Sequence, residues 1–226
     1  MNPLYREQFD YFEQKIKQYQ SEGKSIFASS SFQSHSIPMI HIISQIDNSI
    51  PVYFLNTGYH FPETMAYRTQ IAELLNLNVI DAKSPISKNL QREPDGRLYF
   101  ASDPNHCCFL NKTLPMEPVL ARHDIWITGV RRDQNANRSS FPYEAKGPQD
   151  TLRFHPMLDW NGKMIGTYIN DFKIPRHPLE AKGYLNIGCS PCTAKYVDNG
   201  DGTGRGSRWA GMKKTECGLH TDLMAK

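Results

Sequence analysis

The sequence contains no run of about 18 consecutive apolar residues, so no transmembrane helix is expected. Its opening residues, Met1-Asn2-Pro3-Leu4-Tyr5-Arg6-Glu7, lack an apolar stretch leading to a small-residue cleavage site, so no secretory signal is expected either. Charge of one sign is also scarce. Twenty-six Lys and Arg stand against 23 Asp and Glu, a net charge of +3, and no dense basic stripe accompanies it. That balance argues against a nucleic-acid partner and is compatible with binding a small anion. Internal repeats and long low-complexity tracts are lacking, as are the phosphate-binding patterns G-x-x-x-x-G-K-[ST] and G-x-G-x-x-G. Cysteine is sparse: five residues, an odd number, with no export signal, which disfavours a disulfide framework.

What is present suits a soluble domain with a real core. The chain has 226 residues, 39% of them apolar and 22% charged. Leu4, Phe9, Phe12, Ile16 and Tyr19 recur at helical spacing over the first twenty residues. Short apolar runs at 25–28, 51–55, 77–80 and 125–130 read as strands, and 152–158 as a fifth. Residues 37–46, 62–75 and 162–172 read as helices, the second with Pro62 at a first helical position. Strand, loop and helix alternate, which predicts an α/β fold with a mostly parallel sheet flanked by helices. After Cys192 the glycine-rich run Asp198-Asn199-Gly200-Asp201-Gly202-Thr203-Gly204 reads as a flexible segment. The expected division is a domain over 1–195 and a mobile C-terminal arm over 196–226.

Four features carry chemistry. Ser29, Ser30, Ser31 and Ser34 follow the first strand, where hydroxyls and backbone N–H groups can meet an anion beside a helix N-terminus; an ordinary helix-capping turn has the same composition. Cys107-Cys108 and Cys189-x-x-Cys192 form two pairs. Adjacent cysteines reach one centre from a helix or tight turn, and four thiolates suit a [4Fe–4S] cluster or a tetrahedral zinc; buried free thiols are the third reading. Lys112, four or five residues on, lies along the same helical face and offsets thiolate charge. Cys217 stands apart, among Lys213, Lys214 and His220, neighbours of the kind that lower a thiol pKa and make a nucleophile; an incidental surface thiol is the other reading. Arg131, Arg132 and Arg138 follow a strand and Arg205 and Arg208 lie on the arm, so two arginine sets would meet if the arm closed over an anion.

Together these residues resemble the assimilatory adenylyl-sulfate (APS) reductases, the iron–sulfur members of the PAPS/APS reductase family. The resemblance rests on Cys107-Cys108, an interval of about eighty residues, Cys189-Ser190-Pro191-Cys192, and Glu216-Cys217-Gly218-Leu219-His220. Ser30-Ser31-Phe32, Asn56-Thr57-Gly58, Phe61-Pro62-Glu63-Thr64, Gly129-Val130-Arg131-Arg132-Asp133-Gln134 and Arg205-Gly206-Ser207-Arg208-Trp209 extend it from about residue 25 to 220. It implies a Rossmann-like fold of the adenine-nucleotide α-hydrolase type and a [4Fe–4S] cluster on Cys107, Cys108, Cys189 and Cys192 that is structural and electrostatic rather than an electron donor.

The implied reaction is reduction of adenosine 5′-phosphosulfate to sulfite and AMP, in cytoplasmic sulfate assimilation toward cysteine. Cys217 attacks the sulfate sulfur, Lys112 and His220 assist, and thioredoxin (or glutaredoxin) then frees sulfite. Substrate contacts are implied at Ser29, Ser30, Ser31, Phe32, Thr57, Gly58, Arg131, Arg138, Arg205 and Arg208. No fused thioredoxin-like domain is expected, so the resemblance implies a separate reductant protein; self-association into a homo-oligomer stays open. Where Gly-Ala-Glu-Asp is familiar after Ser-Phe, this chain has Gln33-Ser34-His35-Ser36, and where Asp-Thr-Gly is familiar it has Asn56-Thr57-Gly58. Ser29-Ser30-Ser31-Phe32 and Asn56-Thr57-Gly58-Tyr59 also resemble the cluster-free reductases that act on the 3′-phosphorylated substrate, PAPS. The other competitors are an ATP-dependent adenylating enzyme, disfavoured by the missing Ser-Gly-Gly-x-Asp-Ser loop, and a non-enzymatic zinc module.

Overall fold

The structure, a computed structural model, describes residues 1–197, 207–209, 214, 218–220 and 223. Six short strands, β1 (Ile26–Ser29), β2 (Val52–Leu55), β3 (Val79–Ala82), β4 (Ile125–Thr128), β5 (Glu144–Lys146) and β6 (Leu152–Phe154), form one sheet in the order β3-β2-β1-β4-β6-β5. All neighbours are parallel except β5 against β6. The central strands are mostly apolar because both faces of the sheet are covered, with Ser29 and Thr128 as polar residues at their carboxyl ends.

Alternation along the strands sorts the side chains into two layers. Ile26, Ala28, Val52, Phe54, Ile125 and Ile127 point to one face, where they meet Phe12 and Ile16 of α1 (Arg6–Ser21), Ile40 and Ile43 of α2 (Ile37–Ile46), and Tyr168 of the helix Gly162–Asp171. Phe27, Tyr53 and Trp126 point to the other, against Met116, Val119 and Leu120. That second face also receives Leu223, which is buried, and Leu219, so these two arm residues lie on the body of the domain. The glycine-rich run 198–206, Cys217 and the side chain of His220 lie outside the described residues. Among the described residues no helix is long and apolar enough to cross a membrane.

Three strands differ from the sequence expectation. The fifth strand stops at Phe154 rather than running to 158, because Pro156 has no N–H to offer the ladder. A sixth strand, Glu144-Ala145-Lys146, lies antiparallel at the edge. Its polar composition carries no strand signal; it is recruited by pairing with β6 and by the Lys15–Glu144 ion pair. The third strand runs over 79–82, two residues later than its apolar run suggests.

Candidate functional site

The chain leaves β1 toward β2 on one side and returns to β4 on the other, so the order of the sheet reverses at the β1/β4 boundary. Such a reversal opens a crevice beyond the carboxyl ends of the strands. Here it holds a cavity of about 550 Å³, lined by Ser29, Ser30 and Ser31 from β1 and its loop and by Thr128, Arg131 and Arg138 from β4 and its loop. Lys112, Cys189 and Arg208 close one side of it, and His35 and Ser36 also line it.

Polar groups behind the crevice set its hydrogen-bonding polarity. Trp126 Nε1, which can only donate, gives a 2.8 Å bond to Ser29 Oγ, leaving the Ser29 proton available to a ligand. Thr128 Oγ1 lies 2.5 Å from His155 Nδ1. Burial, with Arg153 and Arg138 nearby, pushes the His155 pKa down to about 3, so this imidazole is neutral at physiological pH. The Ser30 hydroxyl accepts from Phe32 N at 3.1 Å and turns the loop into α2. Arg131 pairs with Asp133 at 2.9 Å, and Arg138, almost fully buried, donates to Gln134. Phe32 takes another place than the cavity wall: it is fully buried against Phe54, at a left-handed φ of 53°.

The two cysteine pairs meet on the far side of Lys112. The helix Pro104–Cys108 is capped by Asp103, which accepts from Asn105 N and His106 N. It runs directly into a π-turn, Phe109–Thr113, a wide turn of the kind often found at functional sites. The turn brings Lys112 to the wall between the large cavity and a second, much smaller one. The smaller one is lined by Cys107, Cys108, Cys189 and Cys192 together with Thr57, Tyr59, Lys112 and Arg208. Cys189 and Cys192 sit on a tight turn closed by a 3.0 Å backbone bond, and Ser190 N ties that turn to Tyr59 O at 2.7 Å. Thr57 Oγ1 lies 3.2 Å from Cys189 Sγ. Thr57 therefore stands on the cysteine side, and Gly58, at φ 71°, shapes the adjoining turn.

Electrostatics reflect this gathering. Burial and the three other cysteines push the Cys107 thiol up to about 12. Burial and the neighbouring Cys189 and Cys108 raise the Cys192 thiol, while Arg208 and Lys112 oppose the rise. Four cysteines line one recess with two cations beside them, and thiolate sulfur is the donor type that suits a soft metal centre. Among the described residues, no group of three or more His, Cys, Asp or Glu is arranged to hold a metal ion.

Arg208 reaches this place through backbone pairing: residues 207–209 return beside the second cysteine pair, with Ala194 N bonded to Ser207 O at 2.8 Å and Trp209 N to Cys192 O at 3.1 Å. The Arg208 guanidinium lies over the Trp209 ring, 4.6 Å from its centroid, and against Gly188, where an added Cβ would come within 2.1 Å of Arg208 Nη1. Gly188→Ala is therefore expected to leave the fold intact, since only the far end of a side chain must move, while displacing Arg208. The expected result is a kcat/KM lower by roughly 10–100-fold, the scale of one charge-assisted contact at 1.5–3 kcal/mol, with an unchanged Tm; unaltered kinetics would show that Arg208 serves no such role.

The structure thus brings Ser29, Ser30, Ser31, Lys112, Arg131, Arg138 and Arg208 to one cavity and the four cysteines to its wall. Arg205 and Cys217 lie outside the described residues. Sequence reasoning missed Trp126, His155, Gln91 and Asn111: the first two lie inside strand-like apolar stretches, the last two in segments without periodicity.

Residues 25–195 match the phosphoadenosine phosphosulfate reductase domain family. A Rhodococcus erythropolis protein named adenosine 5′-phosphosulfate reductase is 38% identical over 186 residues, 80% of this chain and 73% of the relative. Proteins of the same name from Chelativorans sp. and Bacillus cereus are 37% and 34% identical over 206 residues, covering 91% and 90% of this chain and 82% and 86% of theirs. Among solved structures, phosphoadenylyl-sulfate reductase from Candida auris superposes with a TM-score of 0.67 at 17% identity, over 84% of this chain and 97% of that one. FMN adenylyltransferase from Candida glabrata gives 0.56 at 11%, over 78% and 60%. These two likenesses show the fold alone, a mostly parallel sheet flanked by helices of the Rossmann-like type. By sequence over most of its length, the chain belongs to the phosphoadenosine phosphosulfate reductase domain family.

Proposed function

We propose that the protein reduces adenosine 5′-phosphosulfate to sulfite and AMP, in the cytoplasm, as the reductive step of sulfate assimilation. The observation that carries the reading is that Lys112, Cys189 and Arg208 line both the crevice at the sheet reversal and the four-cysteine recess, so a cationic wall separates a nucleotide-sized cavity from a thiol cradle. The names of the homologous proteins point to the same substrate.

In this reading the crevice takes the adenosine, with Ser29 donating and the Ser30–Ser31 loop, Arg131 and Arg138 holding the phosphate. Lys112 and Arg208, with Arg205 as a third candidate cation, stabilise the charge that develops on the sulfate as the S–O bond to AMP breaks. The Cys217 thiolate, positioned by His220, attacks the sulfate sulfur; AMP leaves with the bridging oxygen and the enzyme holds a cysteine S-sulfonate. A thiolate of thioredoxin, or a glutaredoxin, then attacks Cys217 Sγ. Sulfite departs with the S–S electron pair, and the carrier's second thiol resolves the mixed disulfide, leaving an oxidised carrier and free Cys217. Cys107, Cys108, Cys189 and Cys192 would hold a [4Fe–4S] cluster, which supplies a fixed electrostatic environment beside the cations rather than electrons. Among the described residues Cys107, Cys108, Cys189 and Cys192 form no disulfide, which suits a reducing compartment.

Protein purified without oxygen is expected to be brown, with iron and sulfide in equal amounts, and to form sulfite from adenosine 5′-phosphosulfate with thioredoxin. A clear kinetic preference for the 3′-phosphorylated nucleotide would reassign the substrate. That second reading is favoured by the loop Gln33-Ser34-His35-Ser36, which lacks the acidic pair familiar in the first class and places His35 and Ser36 on the cavity wall. Colourless protein holding zinc alone would overturn the cofactor.

A further inference from the structure

Gln91 and Asn111 are both almost fully buried and lie twenty residues apart in sequence, outside every motif that marks the site. Their amides clasp each other: Gln91 Nε2 donates to Asn111 Oδ1 at 3.1 Å, and Asn111 Nδ2 donates to Gln91 Oε1 at 2.6 Å. The orientation of the clasp is determined from outside. Gln91 Nε2 also donates to Ile86 O at 2.9 Å, and a carbonyl can only accept, so the Gln91 amide has one permitted setting. Gln91 in turn orients Asn111, whose first N–H is spent on Gln91 Oε1. Its second N–H is directed at Cys107, 2.9 Å from the Cys107 carbonyl oxygen and 3.7 Å from Cys107 Sγ.

Asn111 lies within the π-turn between Cys108 and Lys112. There the ordinary helical hydrogen bonds are displaced, and the side chain takes over the Cys107 carbonyl. A buried, fully reciprocated amide pair is a rigid device, because breaking either half strands a polar group in the interior.

We propose that Gln91 is a positioning residue which, through Asn111, holds an amide N–H on Cys107 Sγ and so makes Cys107 a weaker thiolate donor to the metal centre. The inference rests on the cluster reading above, since hydrogen bonds to coordinating sulfurs tune such centres. Drawing electron density off Cys107 Sγ weakens its bond to iron and favours the more reduced, more negative state of the centre.

The test is resonance Raman spectroscopy and redox titration of anaerobically purified holoprotein. Asn111→Leu, which keeps the bulk and loses the N–H, is expected to move a terminal Fe–Sγ stretching band upward and the midpoint potential downward. Gln91→Met, which never touches the sulfur, is expected to move both in the same direction. Gln91→Glu, whose protonated carboxyl still accepts from Asn111 Nδ2 but has one O–H in place of the two amide protons, is expected to shift both values by less than Gln91→Met. A packing role alone would give no such rescue pattern. If Asn111→Leu does not fold, Asn111→Asp removes the same N–H at nearly constant shape. Wild-type bands and potentials in the Asn111 and Gln91→Met variants would overturn the inference while leaving the cluster in place. Wild-type protein without iron and sulfide would overturn the cluster reading and this inference with it.

Discussion

Cys217→Ser is expected to abolish sulfite formation, with kcat lower by about 10⁴–10⁶, the range seen when a covalent nucleophile is removed. The loss has two causes. A serine hydroxyl is not ionised near neutral pH, whereas a thiol with ordinary pKa of about 8.5 already supplies some thiolate, and Lys213, Lys214 and His220 are close in sequence to increase it. Even a serine that did attack would form an O-sulfate ester. No thiol of a carrier could then release sulfite from it, because that release requires an S–S bond to form as the sulfonate sulfur leaves with its electron pair. The variant should therefore retain substrate binding and the visible spectrum and show no added SO₃ on the C-terminal peptide by mass spectrometry. Retained turnover would remove Cys217 from the reaction.

Cys192→Ala carries the second largest effect: loss of the metal centre, of activity and of stability together. Cys192 is buried in the recess with Cys107, Cys108 and Cys189, and Arg208 and Lys112 face it. On the cluster reading proposed above, removing one of the four sulfur ligands would take away a bond to the centre and leave Lys112 and Arg208 without part of their compensating charge. The turn that holds Cys192 also holds the arm, through the Trp209 N to Cys192 O bond, so disorder there spreads to Arg208. Iron and sulfide analysis, visible absorption and thermal unfolding measure the three losses. Full activity in iron-free Cys192→Ala protein would show that the centre is dispensable.

The outline of both halves was readable in the residues. Helix α2 appears over Ile37–Ile46 where its apolar spacing places it, β2 and β4 lie within the apolar runs that announce them, and β1 ends one residue beyond its run. These are local signals, set by side-chain period and by burial on both faces of the sheet. The cysteine pairs and the serine loop were readable as candidates from spacing and from their place after a strand, and the structure brings them to adjoining cavities. The edge strand β5 was not readable, since its pairing with β6 makes it a strand and its own composition does not. Phe32 shows the limit of a motif: its place beside the serine loop suggests a ligand contact, and the φ of 53° turns the ring into the core instead.

By itself the sequence determined the α/β architecture, the family and the identity of the four thiols, because each is written in local period or in spacing. Tertiary structure alone decided that β1 and β4 are neighbours and that the crevice between them abuts the cysteines. It also decided that Trp126 and His155 stand behind Ser29 and Thr128, and that Gln91 orients Asn111. Those relations join residues tens of positions apart through strand order and buried hydrogen bonds, and no property of either partner's immediate neighbours encodes them.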